Sequence, residues 1–245
     1  MQCKNCKVTF EGNYCCNCGQ SAHTHRLNIK HFTHEALHTF THLDTGILYL
    51  IKELFVKPGE VALEYVEGAR KKYYPPLQFL ILCVAACTFL TVTFHLISAN
   101  ESVMQGQSQR IIDFTRQFND FAYKYYNVIV FLGVPVNAVF TFLFFKSTKF
   151  NYSENLILNT FLSAQHCVLY ILFFPFLYFF RDYYFYVIGL YFIISSFYFI
   201  WGSLQFFKPR TIAWPSIKLS LIVILHLLVN MILTFTVFLL FIYKK

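Results

Sequence analysis

The sequence predicts an all-α polytopic membrane protein with about five transmembrane helices. Of its 245 residues, 57% are apolar and 13% are charged, whereas a soluble domain averages about 45–50% apolar residues. A chain of this size could not bury so much apolar surface in water, and its hydrophobicity excludes disorder. A second observation is that long apolar runs carry no Lys, Arg, Asp or Glu. A third is a group of cysteines near the N-terminus, which predicts a small separate module.

The uncharged runs define the predicted spans. A helix needs about 20 apolar residues to cross the hydrocarbon core of a bilayer. The run with Pro135 is the shortest, and a proline is tolerated inside a helical bundle. We therefore expect a five-span transmembrane domain over 77–245, with spans at 77–97, 127–145, 155–180, 183–207 and 219–243.

The segment before the first span divides into two parts. Residues 1–20 contain paired cysteines and predict a small metal module, and residues 21–76 predict a linker followed by interfacial amphipathic helices. Asp44 can cap a short helix that ends near Val56, and Pro58 suits the first turn of the next helix. Because these helices are too short to span, we expect them to lie in the membrane interface.

Basic residues near the end of this segment predict contact with the membrane surface. Arg70, Lys71 and Lys72 are expected late in the second interfacial helix, near anionic headgroups. With the N-terminus in the cytosol, more Lys and Arg residues lie on the cytosolic side than outside, which is the usual bias. This orientation predicts a multi-pass protein of the bacterial cytoplasmic membrane with its C-terminus outside, although Lys244 and Lys245 argue mildly against that end.

The paired cysteines give the clearest chemical motif. Cys3-x2-Cys6 is followed by Cys15-x2-Cys18, and two such turns bring four thiolates to one point, as tetrahedral zinc requires. Gly19 follows the second pair, as a metal-binding knuckle often requires. A closed four-thiolate site has no open coordination position, so the predicted Zn²⁺ is structural. Redox-active cysteines are the alternative. Residues 1–20 carry too few basic groups for nucleic-acid binding.

A histidine-rich segment gives a second, weaker motif. His34-Glu35-x2-His38 matches the HExxH pattern of zinc metalloproteases, in which two His bind the metal and the Glu activates water. His31 and His42 fall on the same helical face. No third ligand is evident, and the local density of His favours a chance match. We expect no catalytic residues here. A membrane metalloprotease using His34, Glu35 and His38 is one alternative, and a non-catalytic metal-binding or pH-sensing role of this histidine face is another. The plainer interpretation is a polar, titratable face of an interfacial helix.

Four polar residues lie within the predicted spans: Asn137, His166, His226 and Asn230. Polar residues inside a membrane usually face the bundle interior and are functional candidates. They could share a site, which makes a transporter or channel through the His166/His226 region a second alternative. The plainer interpretation is hydrogen bonding between helices. No Asp or Glu accompanies them in the spans, which argues against ion-coupled transport.

Three blocks of residues resemble a bacterial family of unknown function whose members carry an N-terminal zinc ribbon and a multi-span membrane domain. The blocks are Cys3-x2-Cys6…Cys15-x2-Cys18-Gly19-Gln20, Leu43-Asp44-x-Gly46 with Lys57-Pro58-Gly59, and Gly68-x-Arg70-x2-Tyr73-x2-Pro76. Lys7 stands where a knuckle glycine would be typical. The resemblance implies organisation and no activity. A looser similarity, to the five-span Yip family of Rab-interacting proteins, implies a role in membrane organisation by analogy.

These observations together predict a non-catalytic membrane scaffold or adaptor. Its zinc ribbon would be a cytosolic docking module, and its spans would bind lipid or a partner membrane protein, while a cytosolic protein partner is also possible. The prediction follows from a strong structural metal motif beside a membrane domain that lacks a convincing catalytic set.

Overall fold

The computed structural model describes residues 1–24, 46–94, 108–180, 183–209 and 211–243. Its regular elements in these ranges are helices, and the N-terminal module adds two isolated β-bridges. The helices, in chain order, are α1 Gly46–Val56, α2 Pro58–Glu67, α3 Pro76–Thr93, α4 Gln109–Lys124, α5 Tyr126–Phe144, α6 Tyr152–Phe179, α7 Tyr184–Phe207 and α8 Ala213–Tyr243.

Four of the described helices are long and apolar enough to cross a membrane, namely α3, α6, α7 and the stretch Ala213–Thr236 of α8. A fifth apolar stretch, Val128–Phe144 in α5, is shorter. This confirms the predicted all-helical membrane fold, and the shortest predicted span is the short helix. Helix α8 begins six residues before the predicted start at 219. The predicted start followed the charged residue Lys218, which the helix includes. The Lys218 ammonium donates to the carbonyl oxygen of Phe144 at 3.2 Å.

Helix α6 is the centre of the bundle and packs against α3, α5 and α7. It begins with a capping box, in which Asn151 Oδ1 accepts from the N–H of Glu154, and the Glu154 carboxylate accepts from the N–H of Asn151. The capping box satisfies backbone donors that would otherwise be orphaned at the buried start of the helix. The helix therefore starts at a fixed point on one end of the bundle.

The cysteine module and several helix ends lie on the same side of the bundle, here called the ribbon side. One surface pocket is lined by Lys4 of the module, Gly68 after α2, Lys149 after α5 and Glu154 of α6. The stacked rings of Phe145 and Phe207 bring the ends of α5 and α7 to the same level. The start of α8 lies there too, as its contact with Phe144 shows. Among the described helices, five run between the ribbon side and the opposite side, namely α3, α5, α6, α7 and α8, and this number is odd.

The short helices α1 and α2 are packed into the bundle. In α1, Leu50 and Leu54 are fully buried, and in α2 most side chains are buried. The Tyr198 hydroxyl of α7 donates to the carbonyl oxygen of Leu54 at 2.8 Å, and Gln205 Oε1 accepts from the N–H of Gly59 at 3.0 Å. These contacts make α1 and α2 part of the helical core on the ribbon side. Their depth in the bilayer stays a prediction, and Asp44, the expected cap, lies outside the described residues.

Helix α2 ends at Glu67, so the prediction that Arg70, Lys71 and Lys72 occupy its last turn is wrong. Gly68 adopts a φ of 117°, and its N–H bonds the carbonyl oxygens of Glu64 and Tyr65. This left-handed conformation suits glycine and terminates the helix. The three basic residues consequently lie in the connection to α3, which folds back over α2.

Candidate functional site

The cysteine module is built from two copies of one backbone turn, twelve residues apart. In the first, the N–H of Cys3 bonds the oxygen of Val8 at 2.9 Å, and the N–H of Lys7 bonds the oxygen of Cys3 at 3.0 Å. In the second, Cys15 bonds Gln20 at 2.8 Å and Gly19 bonds Cys15 at 2.9 Å. The bridges Gln2–Thr9 and Tyr14–Ser21 follow the same offset. The repeat places the cysteine pairs face to face.

Each turn needs one residue in the left-handed backbone region. Gly19 has a φ of 69° in the second turn, and Lys7 has a φ of 62° at the equivalent position of the first. Side chains rarely adopt this region, whereas glycine does so readily. The departure from the expected knuckle glycine is therefore accommodated by strain at Lys7 and not by a different turn.

The four cysteine sulfurs form a compact cluster, with every sulfur within 4.8 Å of the others. The Sγ atoms of Cys3 and Cys18 are 3.6 Å apart, and those of Cys6 and Cys15 are 3.5 Å apart. A tetrahedral ion with bonds of about 2.3 Å to sulfur has ligands about 3.8 Å apart. The four residues could therefore hold a metal ion with little rearrangement. Cys16 is exposed and lies outside the cluster.

Backbone groups of the turns favour the thiolate form that binds metals. The N–H of Cys6 lowers the pKa of the Cys3 thiol against the opposing effect of burial. The N–H of Val8, helped by the Asn17 side chain, lowers the pKa of Cys6 to about 6. Since the thiolate is the metal ligand, both effects assist metal binding. The backbone N–H of Cys18 acts in the same direction on Cys15, but burial and the hydrogen bonds with the Cys6 and Cys18 side chains outweigh it and raise the pKa of Cys15 to about 11.

The cysteine module is joined to the membrane domain by one buried side chain. Gln20 is 4% exposed. Its Nε2 donates to the carbonyl oxygen of Gly68 at 2.6 Å, and its Oε1 accepts from the N–H groups of Arg70 at 3.2 Å and Lys71 at 3.4 Å. Two of the three blocks of the sequence resemblance, those around Cys18 and Gly68, therefore meet in space. Within the N-terminal segment itself, the Lys4 ammonium donates to the carbonyl oxygen of Thr24 at 3.2 Å.

The predicted membrane-surface residues occupy three different surroundings. Arg70 is half-buried beside Gln20, Lys71 is exposed, and the Lys72 ammonium lies 2.6 Å from a carboxylate oxygen of Glu64. The Tyr73 hydroxyl donates to the same oxygen at 2.8 Å. Lipid contact by this group stays a prediction, in which Lys71 is the most accessible member.

The ion pair between Glu64 and Lys72 favours the ionised form of both side chains. Burial opposes ionisation, but the hydrogen bonds from Lys72 and Tyr73 lower the pKa of Glu64 below its usual value. Burial and the bond to the Glu64 carboxylate raise the pKa of Tyr73, so its phenol stays protonated. The carboxylate therefore ties the connection back to α2 at neutral pH.

The four predicted intramembrane residues line one cavity of about 340 Å³ between α5, α6, α7 and α8. A ring nitrogen of His166, Nε2, lies 3.1 Å from the carbonyl oxygen of Ser195, and Asn230 Nδ2 lies 3.0 Å from His226 Nδ1. The structure thus brings Asn137, His166, His226 and Asn230 together at one cavity. What the four residues do there stays a prediction.

The histidine motif cannot be placed. Residues His31, His34, Glu35, His38 and His42 lie outside the described residues. Among the ranges that are described, the four cysteines are the group whose ligand atoms are close enough to hold a metal. The metalloprotease interpretation therefore stays a prediction.

The sequence interpretation did not reveal the contacts of three structurally important residues. Gln20 follows Gly19 in the resemblance block, but nothing in the pattern shows that its amide crosses to Gly68. Glu64 looks like an ordinary helix charge in sequence. Gly133 lines the cavity, and a Cβ there would lie 3.1 Å from a ring carbon of His226, a closeness that hydropathy cannot report.

The fold and the cysteine cluster define the class as a helical membrane protein with a possible metal site. Comparison with family models gives a match over residues 44–88 to the family described as Protein of unknown function (DUF3667). The match covers α1, α2 and most of α3, and it confirms the resemblance to a family of unknown function. The match does not include residues 1–20, so it does not confirm the zinc ribbon. It does not confirm the similarity to the Yip family either. Comparisons with curated proteins and with solved structures found no match.

Proposed function

We propose that this chain is a non-catalytic membrane scaffold whose cysteine module presents a docking surface to another membrane or cytosolic protein. The observation that carries the proposal is the set of hydrogen bonds that the Gln20 side chain makes with the backbone of Gly68, Arg70 and Lys71. A docking module on a flexible tether would need no such contact. A module fixed to the bundle presents its surface at a defined position and can transmit a partner's binding to the spans.

The metal in this proposal is zinc, and its role is structural. Four thiolates at tetrahedral spacing are the preferred donor set for Zn²⁺, and they leave no position for a substrate or activated water. A module of about 20 residues is too small for a stable hydrophobic core, so a metal would supply most of its folding energy. Its small core consists of Cys3, Phe10 and Cys15.

The repeat within the module supports a free docking face. The second turn contacts the membrane domain through Gln20, and the equivalent residue of the first turn is Val8, which is 38% exposed. Tyr14, on the connection between the turns, is 69% exposed. Aromatic and apolar side chains on a rigid surface are the usual anchors of protein interfaces. We place Tyr14 and Val8 at the centre of the partner-binding surface.

The ribbon side faces the cytosol in this proposal. Lysines lie near several helix ends there, among them Lys71, Lys149, Lys208 and Lys218, as the positive-inside bias requires. An odd number of crossings puts the C-terminus on the opposite side of a cytoplasmic, that is bacterial inner, membrane. Exposed Cys16 provides the test. A membrane-impermeant maleimide should label it only after cells are lysed, and labelling of intact spheroplasts would contradict the orientation.

Site-specific crosslinking in cells tests the docking role. A photoreactive phenylalanine analogue at Tyr14 should give a discrete higher-mass adduct, whereas the same analogue at Tyr186, which is 79% exposed on the far side, should not give that adduct. A double Cys3→Ser, Cys6→Ser change should abolish the Tyr14 adduct without removing the protein from the membrane. The absence of an adduct at Tyr14, or its persistence in the cysteine variant, would contradict the proposal.

A further inference from the structure

The intramembrane cavity has a wall chemistry that differs from its surroundings. The described residues that line it include no Lys, Arg, Asp or Glu, and their polar groups are amides, imidazoles and hydroxyls, among them those of Asn137, His166 and Ser163. The rest of the lining is apolar or aromatic. A volume of about 340 Å³ lies at the small end of the range for small-molecule sites. Such a wall fits an uncharged polar group and excludes a charged phospholipid headgroup, which would be buried without a counter-charge.

Two buried lining atoms, Asn137 Oδ1 and the hydroxyl oxygen of Ser195, have no hydrogen-bond partner in the part of the chain that the structure describes. Asn137 is 8% exposed. An unpaired buried polar atom costs about 1–3 kcal/mol. Because an amide oxygen only accepts, the missing partner of Asn137 Oδ1 is a donor. A ligand with an O–H group would supply it.

The neighbouring histidine also offers an acceptor. The oxygen of Ser195 can only accept, so the Nε2 of His166, at 3.1 Å, carries the proton. In a neutral imidazole the other ring nitrogen, Nδ1, is then an acceptor. A ligand hydroxyl can donate to either acceptor and can also accept from the Ser195 hydroxyl, whereas a carbonyl group can only accept, so the wall favours a hydroxyl.

The cavity also reaches the lipid-facing surface of the bundle. Phe192 of α7 and Leu227 of α8 line it and are 49% and 48% exposed. Both side chains lie in the spanning stretches, where exposure means contact with lipid. A ligand can consequently enter from the bilayer and leave its hydrocarbon tail between α7 and α8.

We propose that this cavity binds an uncharged lipid that bears a free hydroxyl group. The hydroxyl donates to Asn137 Oδ1, the headgroup lies between His166 and His226, and the tail follows Phe192 and Leu227 into the bilayer. Diacylglycerols and isoprenoid alcohols share this chemistry. The site stands apart from the proposed docking role, because it lies in the spans and not in the cysteine module.

Gly133 sets the size of the pocket at its polar end. A Cβ at this position would lie 3.1 Å from His226 Cε1 and 3.3 Å from Asn230 Oδ1. Both contacts are tight but involve side chains that can shift. Gly133→Ala should therefore fold and yet displace the polar groups that would surround the headgroup.

Ligand-dependent thermal stabilisation of the full chain in mild detergent tests the proposal. The probes are 1,2-dioctanoylglycerol, farnesol, and the acetate ester of each, which lacks the hydroxyl. A lipid that binds only the folded state raises the melting temperature, and the rise grows with the ratio of the lipid concentration to its Kd. The wild-type chain should be stabilised by at least one alcohol and not by its ester, and the stronger of the two alcohols identifies the class.

Two variants and a matched control locate the site. Asn137→Leu should weaken the apparent affinity about tenfold, the loss expected for one buried hydrogen bond, and Gly133→Ala should weaken it as well. Gln165→Leu is the control, because Gln165 is fully buried, its amide has no partner in the described ranges, and it does not line the cavity. Equal stabilisation by alcohol and ester, no stabilisation by either alcohol, or equal loss in Gln165→Leu would overturn the proposal. If Asn137→Leu does not fold, unchanged affinity in Gly133→Ala overturns it.

Discussion

Replacement of Gly59 by alanine should separate α2 from α7 and destabilise the whole bundle. A Cβ on Gly59 would lie 1.9 Å from the carbonyl oxygen of Gly202 and 2.6 Å from the backbone nitrogen of Phe206. Carbon and oxygen atoms normally approach to about 3.3 Å, so the two backbones would have to move apart by about 1.4 Å. Neither atom belongs to a flexible side chain, so the strain has no inexpensive relief.

The cost follows from two effects. Overpacking of a close contact costs about 1–3 kcal/mol, and the displaced N–H of Gly59 would lose its bond to Gln205 Oε1, worth about 1 kcal/mol. We therefore expect Gly59→Ala to destabilise the chain by about 2–4 kcal/mol. Gly202→Ala should cost less, because its closest neighbour is a methyl group of Leu162 at 2.7 Å.

Gly189 provides the matched control. It lies in α7, like Gly202, and a Cβ there would meet nothing within 4 Å. Alanine is the better helix former, so Gly189→Ala should be neutral or stabilising by up to about 1 kcal/mol. The assay is thermal or denaturant unfolding of each variant in the same detergent. Equal stability of the Gly59 and Gly189 variants would refute the close packing of α2 on α7.

Three further changes test the ribbon side. Gln20→Ala should loosen the cysteine module and speed amide hydrogen exchange in residues 15–20, whereas Gln2→Ala, which removes a bond inside the module to the oxygen of Lys7, should leave that exchange unchanged. Lys7→Gly should relieve the positive φ and raise the module's stability by about 1 kcal/mol, measured as slower metal loss to a chelator; faster loss would contradict the strain. Because the folded pKa of Glu64 is lowered from 4.5, its stabilisation is present above pH 4.5 and lost as pH falls through the folded value. Melting curves should show Glu64→Gln with a smaller loss of stability on acidification than the wild-type chain, and equal losses would contradict the ion pair.

Much of the fold follows from local sequence properties. The positions of the long uncharged runs locate the spans. The shortest run, around Pro135, forms the shorter apolar stretch of α5. The cysteine spacing locates the cluster because each CxxC turn is a local structure. The end of α2 was missed, although Gly68 was a visible signal, because the basic residues beyond it fit a helix C-terminus equally well.

The remainder depends on contacts between distant parts of the chain. Hydropathy marks Asn137, His166, His226 and Asn230 as polar, but it does not show that four helices turn them toward one cavity. Amphipathic patterning places α1 and α2 at a surface, yet the Gly59–Gly202 contact draws α2 into the core. Such a close backbone approach is set by the geometry of both helices together, and neither helix alone reveals it.

The metal content of the purified full chain tests the central claim most directly, because the docking module depends on an intact four-cysteine site. Mass-spectrometric metal analysis should find one zinc per chain. A Cys3→Ser change should remove it, and Cys16→Ser, which alters an exposed cysteine outside the cluster, should not. Absence of zinc, or a zinc that survives Cys3→Ser, would contradict the account. A surviving zinc would indicate that the histidine motif binds the metal instead.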